Sequence, residues 1–487
     1  MAAPDSSSAG GLWPWLAFLA AIVVVGGFLL ARSRREPENQ EPAAATPTEP
    51  PAPTVPTIDE LRALAAASLV DADNAITTSS NELRIAAAHS DDEPTWEPFS
   101  TALTQSRAEL DEALLRRDRG PDGDDEPARR AWLEQIISLA RTAGSRVDDL
   151  VPRFDALRDL EQRIDEVLPG LDRELTVLED PLRDARATAE DLRTRYPGVA
   201  VAPVLGNLDH AEELMRVAGD WAAAGARDLA GGDRRTAVAR ARVAEEALSQ
   251  AAAILDGVQQ APEDLAQAER AVTDLLAATE GGIAEAERQG MPEGLSTTHP
   301  YAQDTIEWAR GEADTGSYDP VATRRALEDT ETALEVGLAP RRAAQEVRRR
   351  ALALLESVPG NAQSSLRVAG CFITTRRGAV GAEARVCLAR ATSLFVSGTA
   401  VTQTDPPTAL ADLQESDALA DQALRLAQQD EAGYLNAQRM AGHDAGLTTL
   451  IASGILVART AHDGRRWAAA SFGGPETGSR WGLSDPL

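Results

Sequence analysis

From Thr57 onward, the apolar positions of this chain recur with a helical period. Leu61, Leu64, Leu69, Ala72, Ile76 and Leu83 fall at helical spacing. The stretch "TIDE" opens that run as a capping box, with Thr57 as N-cap and Glu60 three residues on. A second helix is predicted from about Pro94 to Arg117, closed by the Gly-, Pro- and Asp-rich loop "RDRGPDGDDEP". The clearest periodicity follows. Ile136, Ala143, Leu150, Leu157, Ile164, Leu171, Leu178, Ala185 and Leu192 recur every seven residues. Ala140, Val147, Phe154, Leu168, Leu175, Leu182 and Ala189 fill the companion positions, and only Glu161 breaks that second set. A seam sustained this long predicts coiled-coil packing. Pro152, Pro169 and Pro181 predict kinks or interruptions, so two or three helices are expected to share one seam, with Glu161 at a kink or an open edge.

Further helices are predicted over 207–228 and 233–257, separated by the hairpin signal "AGGD", and over about 262–289, 320–357, 379–397 and 407–430. No stretch has a convincing strand alternation, and the short β-branched "CFITT" is ambiguous. Leu447–Val457 is apolar but too short to span a bilayer and reads as a packed or surface-lying helix. The tail "FGGPETGSRWGLSDPL" reads as disordered. The expected fold is all-α, an elongated multi-helix coiled-coil or helical-bundle region, divided as 58–290, 291–440 and a tail at 441–487.

The region ahead of these helices has a different pattern. Residues 12–31 form one apolar run of membrane-spanning length, and Arg32, Arg34 and Arg35 follow it directly. Trp13 and Trp15 sit at its other end, where interfacial aromatics belong. A secretory signal peptide would carry its basic residues before a shorter apolar core, and residues 1–11 hold no Lys or Arg. The expectation is therefore a retained single-span anchor in the cell membrane. The arginines then place the long C-terminal part in the cytoplasm and residues 1–11 outside. Residues 32–57 carry the basic stop and a linker with seven prolines, of extended polyproline character.

Composition narrows the chemistry. The chain has 487 residues, a net charge of −29 and 4% aromatic residues. Low aromatic content and abundant alanine suit Ala- and Leu-filled helical seams. The acidic balance opposes nucleic-acid binding, which needs basic patches. All 48 basic residues are arginine, which excludes a Walker-A P-loop, a Schiff-base lysine and a kinase ion pair. No HExxH, GxSxG or GxGxxG is present. His89, His210, His299, His443 and His462 lack metal-ligand spacing. Cys371 and Cys387 form no CxxC and read as buried small residues. The acidic pairs Asp91–Asp92 and Asp124–Asp125 read as loop formers and caps. No catalytic residue, cofactor, metal or small-molecule substrate is predicted.

Five segments carry a resemblance. "DNAITTSSNELRIAAAH", "RYPGVAVAPVLGNLDHAEELM", "AGGDRRTAVARARVAEEALSQAAAILDGV", "FITTRRGAVGAEARVCLARATSLF" and "FGGPETGSRWG" are similar to segments of large actinobacterial TPM-domain membrane proteins, covering about residues 58–487. The resemblance implies a membrane helix followed by a cytoplasmic helical region. Members of that family carry an extracytoplasmic TPM domain before the helix. Here eleven residues stand in that place, so no catalytic residue carries over. Two functions are expected to compete. One is a membrane-anchored, non-enzymatic scaffold acting on protein partners or by self-association. The other is an accessory partner of a separately encoded TPM-domain protein.

Overall fold

A computed structural model describes residues 56–88, 93–123, 125–291, 295–296, 298–338, 344–442, 444–461, 464–475 and 481–483. The anchor expected over 12–31, with Trp13, Trp15, Arg32, Arg34 and Arg35, lies outside them. Among the described residues no helix is long and apolar enough to cross a membrane. Thr57–Leu487 forms one compact unit.

Helices dominate it. They are α1 (Ile58–Ala88), α2 (Glu93–Arg119), α3 (Glu126–Asp148), α4 (Val151–Arg158), α5 (Leu160–Arg195), α6 (Gly198–Ala230) and α7 (Arg234–Arg288). Then come α8 (Thr298–Asp314), α9 (Pro320–Leu338), α10 (Ala344–Leu354), α11 (Val358–Thr375), α12 (Ala382–Val401), α13 (Pro406–Met440) and α14 (Ala445–Ala452). The capping box forms at α1: Thr57 N donates to Glu60 Oε2 at 2.7 Å, and Glu60 N donates to Thr57 Oγ1 at 3.2 Å. Asp125 caps α3, accepting from Ala128 N at 2.8 Å. Asp233 caps α7, accepting from Thr236 N at 3.0 Å.

The spine is α7, 55 residues long. It touches α5, α6, α8, α9, α11 and α1. Its stretch Ala237–Ala239 and Ala241–Ala251 is buried at every position. Alanine on most faces lets neighbouring helices approach from all sides, so this part of α7 has no water-facing stripe. One core joins α5, α6 and α7, and a second joins α1–α4.

The heptad seam is therefore split between two cores. Ile136 is fully buried on α3 among α1 and α2, whereas Ile164, Leu171 and Leu178 are buried on α5 against α6 and α7. Leu150 is half-buried in the turn between α3 and α4. Leu157 is 40% exposed, a departure from the seam. The cause is the backbone between them: Asp159 takes φ 39°, the left-handed region, and separates the eight-residue α4 from α5. Phe154 and Arg158 turn inward on α4 and leave Leu157 outside. Glu161 follows that break on the first turn of α5, exposed. Pro169 and Pro181 do not interrupt α5, and Pro262 does not divide α7. The helix expected over 320–357 is two, α9 and α10, while α8 and α11 were not anticipated, and "CFITT" closes α11.

The all-α expectation needs one correction. Val457 belongs to a strand, and a three-stranded antiparallel sheet follows α14: β1 (Leu456–Ala461), β2 (Gly464–Ala469) and β3 (Trp481–Leu483). Leu456 pairs with Ala469, and Trp467 with Leu483. Ile455, Leu456 and Ala469 are buried in the α5–α7 core. The tail is likewise not uniformly disordered, since Phe472 is fully buried in the α1–α4 core.

Candidate functional site

The segments singled out in the sequence meet in space. α1 supplies Asp73, Asn74, Thr78, Ser79 and Glu82, α7 supplies Arg242, Glu245, Glu246 and Gln250, the turn from α11 into α12 supplies Arg376 and Arg377, and the first turn of α12 supplies Arg385. Together they build a buried polar layer between the N-terminal helices, the spine and the C-terminal elements.

Arg158 lies at one end. Its Nη1 donates to Glu82 Oε2 at 2.5 Å and its Nη2 donates to Glu245 Oε2. Arg242 Nη1 donates to the same Glu82 oxygen at 3.1 Å. Burial pulls the Arg158 guanidinium down, and the Glu245 and Glu82 carboxylates outweigh it, so its pKa lies above the ordinary value. Arg242 is pulled below its ordinary value, because burial there exceeds the help from Glu82.

Arg377 stands at the centre, with a side chain 1% exposed. Its Nη2 donates to Glu246 Oε1 at 2.9 Å, Thr78 Oγ1 at 3.1 Å and the Gly454 carbonyl at 3.3 Å. Glu246 Oε1 also accepts from Asn81 Nδ2 at 3.0 Å and Gln250 Nε2 at 2.9 Å. Arg385 donates to Asp73, to Asn74 Oδ1 at 2.9 Å and to the Arg377 carbonyl at 2.6 Å. Burial brings Arg385 down to about 10, so it stays charged at neutral pH. Arg376 donates to Glu431 at 2.8 Å and Asn207 Oδ1 at 3.0 Å. The tail joins through Ser79, whose Oγ donates to the Gly473 carbonyl at 3.2 Å.

Chemically this layer is a set of charge-assisted hydrogen bonds that ties distant parts of the chain together. Each guanidinium is engaged with carboxylates or carbonyls. Among the described residues no group of three or more His, Cys, Asp or Glu side chains is placed to hold a metal. Burial pushes both thiols, Cys371 and Cys387, above their ordinary range, and both are free. His210 is pulled to about 3, first by burial and then by Arg376, so it is neutral across physiological pH. His299 pairs with Glu287 at 3.3 Å. His89, His443 and His462, with Asp91, Asp92 and Asp124, lie outside the described residues.

Sequence reasoning missed the layer. In the sequence Arg242, Glu245, Glu246, Ser249 and Gln250 recur at helical spacing along one side of an alanine-rich run, which reads as an ordinary solvated face.

A second feature lies on the surface. Tyr301 and Trp308, two turns apart on α8, are 57% and 44% exposed. Ala302, Ile306 and Ala309 anchor the opposite face of that helix. The same helix lines a groove of about 780 Å³ between α7 and α8, with Glu280, Glu287, Asp304, Glu307 and Asp314 and with Arg310 as the cation of that lining. Arg310 is engaged by Glu280.

Comparison with known proteins gives two close likenesses. The chain is 29% identical over 467 residues to a UPF0603 protein of Mycobacterium tuberculosis strain ATCC 25618 / H37Rv, covering 92% of this chain and 68% of that protein. The UPF0603 protein of strain CDC 1551 / Oshkosh matches with the same identity and coverage. No protein-family model matches the chain, and no solved structure matches it. What the sequence is similar to is therefore an actinobacterial protein of the UPF0603 name.

Proposed function

We propose that this chain is a non-enzymatic interaction scaffold, held at the cell membrane by its N-terminal segment with the helical region on the cytoplasmic side. The observation that carries this reading is the solvent face of α8. Tyr and Trp are the residues in which binding energy concentrates at protein interfaces, and two of them stand exposed on a helix that also lines an acidic groove, in a chain with 4% aromatic residues. Such a face fits a partner segment carrying arginine beside apolar groups. The guanidinium would stack on the rings and meet Asp304 and Glu307. The buried arginine layer supports the same reading, because its side chains serve to fix one arrangement of helices.

The test is affinity purification of the full chain from native membranes, comparing wild type with the Tyr301→Ala, Trp308→Ala double variant. The scaffold reading expects a defined set of proteins to be lost from the variant at unchanged melting temperature. Identical partners from both would sink the assignment to α8. The membrane arrangement has its own test. A membrane-impermeant maleimide on intact cells should label Ser7→Cys and leave Cys371 and Cys387 untouched, and labelling of the native cysteines would reverse the topology.

A second reading makes the chain the accessory partner of a separately encoded TPM-domain protein. The sequence segments that resemble TPM-domain proteins favour it. Recovery of a TPM-domain protein in the same purification would select it.

A further inference from the structure

A cavity of about 290 Å³ lies where α6, α7, α9, α11 and α13 converge. Ala200 and Val204 of α6, Leu265 of α7, Val368 of α11 and Leu424 of α13 give it apolar walls. Val199 also lines it and is 79% exposed, so the space opens to water. The volume sits at the small end of ligand pockets, which begin at about 300 Å³.

The carboxylates of the lining are all engaged within the protein. Asp264 pairs with Arg367, and Asp421 with Arg325. Asp319 caps α9, accepting from Val321 N and Ala322 N at 3.0 Å. Arg324 is likewise held, donating to Glu328 at 2.7 Å and to Asp417 at 2.6 Å. Three donors of the lining are left over. The side chains of Arg425, Gln428 and Ser365 make no hydrogen bond or ion pair with any described residue. Asp421 feels the Arg425 charge from one turn away, but its ion pair is with Arg325. Arg425 and Gln428 are three residues apart on α13, which puts them on one face of that helix.

An apolar space with a few polar groups along its wall is the general form of a ligand site. Here each unengaged group can donate, one is a cation and none is a carboxylate. A guanidinium bonds a carboxylate more strongly than a neutral oxygen. We infer that this cavity binds a small apolar monocarboxylate, its hydrocarbon part against Val204 and Leu265 and its head on Arg425, with Gln428 and Ser365 as further donors.

4-Benzoylbenzoate and benzophenone share one photoreactive skeleton, and only the first carries a carboxylate. Each is titrated onto the full-length detergent-solubilised chain, irradiated and digested. 4-Benzoylbenzoate should mark peptides containing Val199–Val204, Leu265 or Val368. Arg425→Gln removes an exposed cation that no ion pair holds, so the melting temperature should stay. It should raise the half-labelling concentration of 4-benzoylbenzoate by about tenfold or more and leave that of benzophenone unchanged. A merely structural effect would move both probes. Ser365→Phe fills the cavity and should abolish labelling by both. Decanoate should displace 4-benzoylbenzoate where decanol does not, and this arm decides if Ser365→Phe fails to fold. Labelling that is absent from these peptides, or that a folded Ser365→Phe leaves unchanged, overturns the site. An Arg425→Gln shift that is absent or equal for both probes overturns the carboxylate class, as does equal displacement by decanol.

Discussion

Phe472 and Phe154 lie face to face, 4.1 Å between ring centroids and 11° from parallel. Phe99 meets both rings edge-on at 5.7 and 5.6 Å, and Trp96 packs on Phe99 and Phe154 at 6.1 Å. A residue from the C-terminal tail thus completes a core built by α1–α4. Truncating it removes a fully buried ring that three elements surround. Phe472→Ala should cost about 3–5 kcal/mol, read as a lowered midpoint in urea unfolding. A midpoint within error of wild type would mean that the tail rests on the core without contributing to it.

Arg158 bridges Glu82 of α1 and Glu245 of α7, with all three side chains nearly inaccessible to water. Removing the cation takes Arg158 from Glu245 and leaves Glu82 with Arg242, and breaking a buried pair in this way costs about 3–5 kcal/mol. Arg158→Met should lower the denaturant midpoint accordingly. Full stability in that variant would show that water reaches the carboxylates.

Gly378 lets the α11–α12 turn approach the end of α14. Its N–H donates to the Ala452 carbonyl at 2.9 Å, and a Cβ there would lie 2.0 Å from the Ile451 carbonyl oxygen. Backbone cannot yield as a side chain does, so Gly378→Ala should destabilise by about 1–3 kcal/mol. Gly370→Ala on α11 is the control. Nothing lies within 4 Å of its Cβ, and helix propensity favours alanine there by up to about 1 kcal/mol. Equal effects from both substitutions would contradict the close approach.

Glu328 and Glu331 lie one turn apart on α9. Glu328 faces Arg324, Asp417 and Asp421; Glu331 faces Arg350 and Glu335. Burial raises both from 4.5 to about 7, against the pull of the arginines. The folded state then holds protons that the unfolded chain has released. Each group's contribution is fully present below pH 4.5 and is lost as pH rises through about 7. Wild type should therefore lose stability relative to Glu331→Gln between about pH 5 and 8 in thermal melts. A difference that is flat, or that grows in the opposite direction, would refute the raised value.

The helices were legible because their evidence is local. The Thr57–Glu60 box, the Gly231–Gly232 break and the Asp125 cap each act within one turn, and each forms as read. Ile164 and Leu171, on the heptad spacing, are buried, yet the spacing could not show that Ile136 serves a different core. Period alone carries no partner identity, and the reversal at Asp159 has no sequence signal beyond one ordinary aspartate. Pro169 and Pro181 misled because packing overrides propensity: both sit inside α5, held against α6 and α7, whereas Pro152 does follow a break, in the first turn of α4. The sheet escaped notice because its buried residues, Ile455, Leu456, Ala468 and Ala469, are adjacent pairs rather than alternating ones. As for the candidate site, charged residues on a helical pattern read as a solvated face. Only the surroundings of α7 reveal that Arg242 and Glu246 have none.

Because Phe472, Gly473 and Arg377 finish cores that begin at Leu61, the order of synthesis and the order of packing run against each other. A ribosome delivers α1–α4 first, but their aromatic cluster lacks a ring until Phe472 emerges, and their buried Asp73 has Arg107 but not yet Arg385. Contacts such as Ser79 with Gly473, 394 positions apart, close only then. The nascent N-terminal helices thus carry an incomplete ion pair and open apolar surface through most of translation. Completion of the chain, rather than of any helix, is the event that commits this protein to its native state.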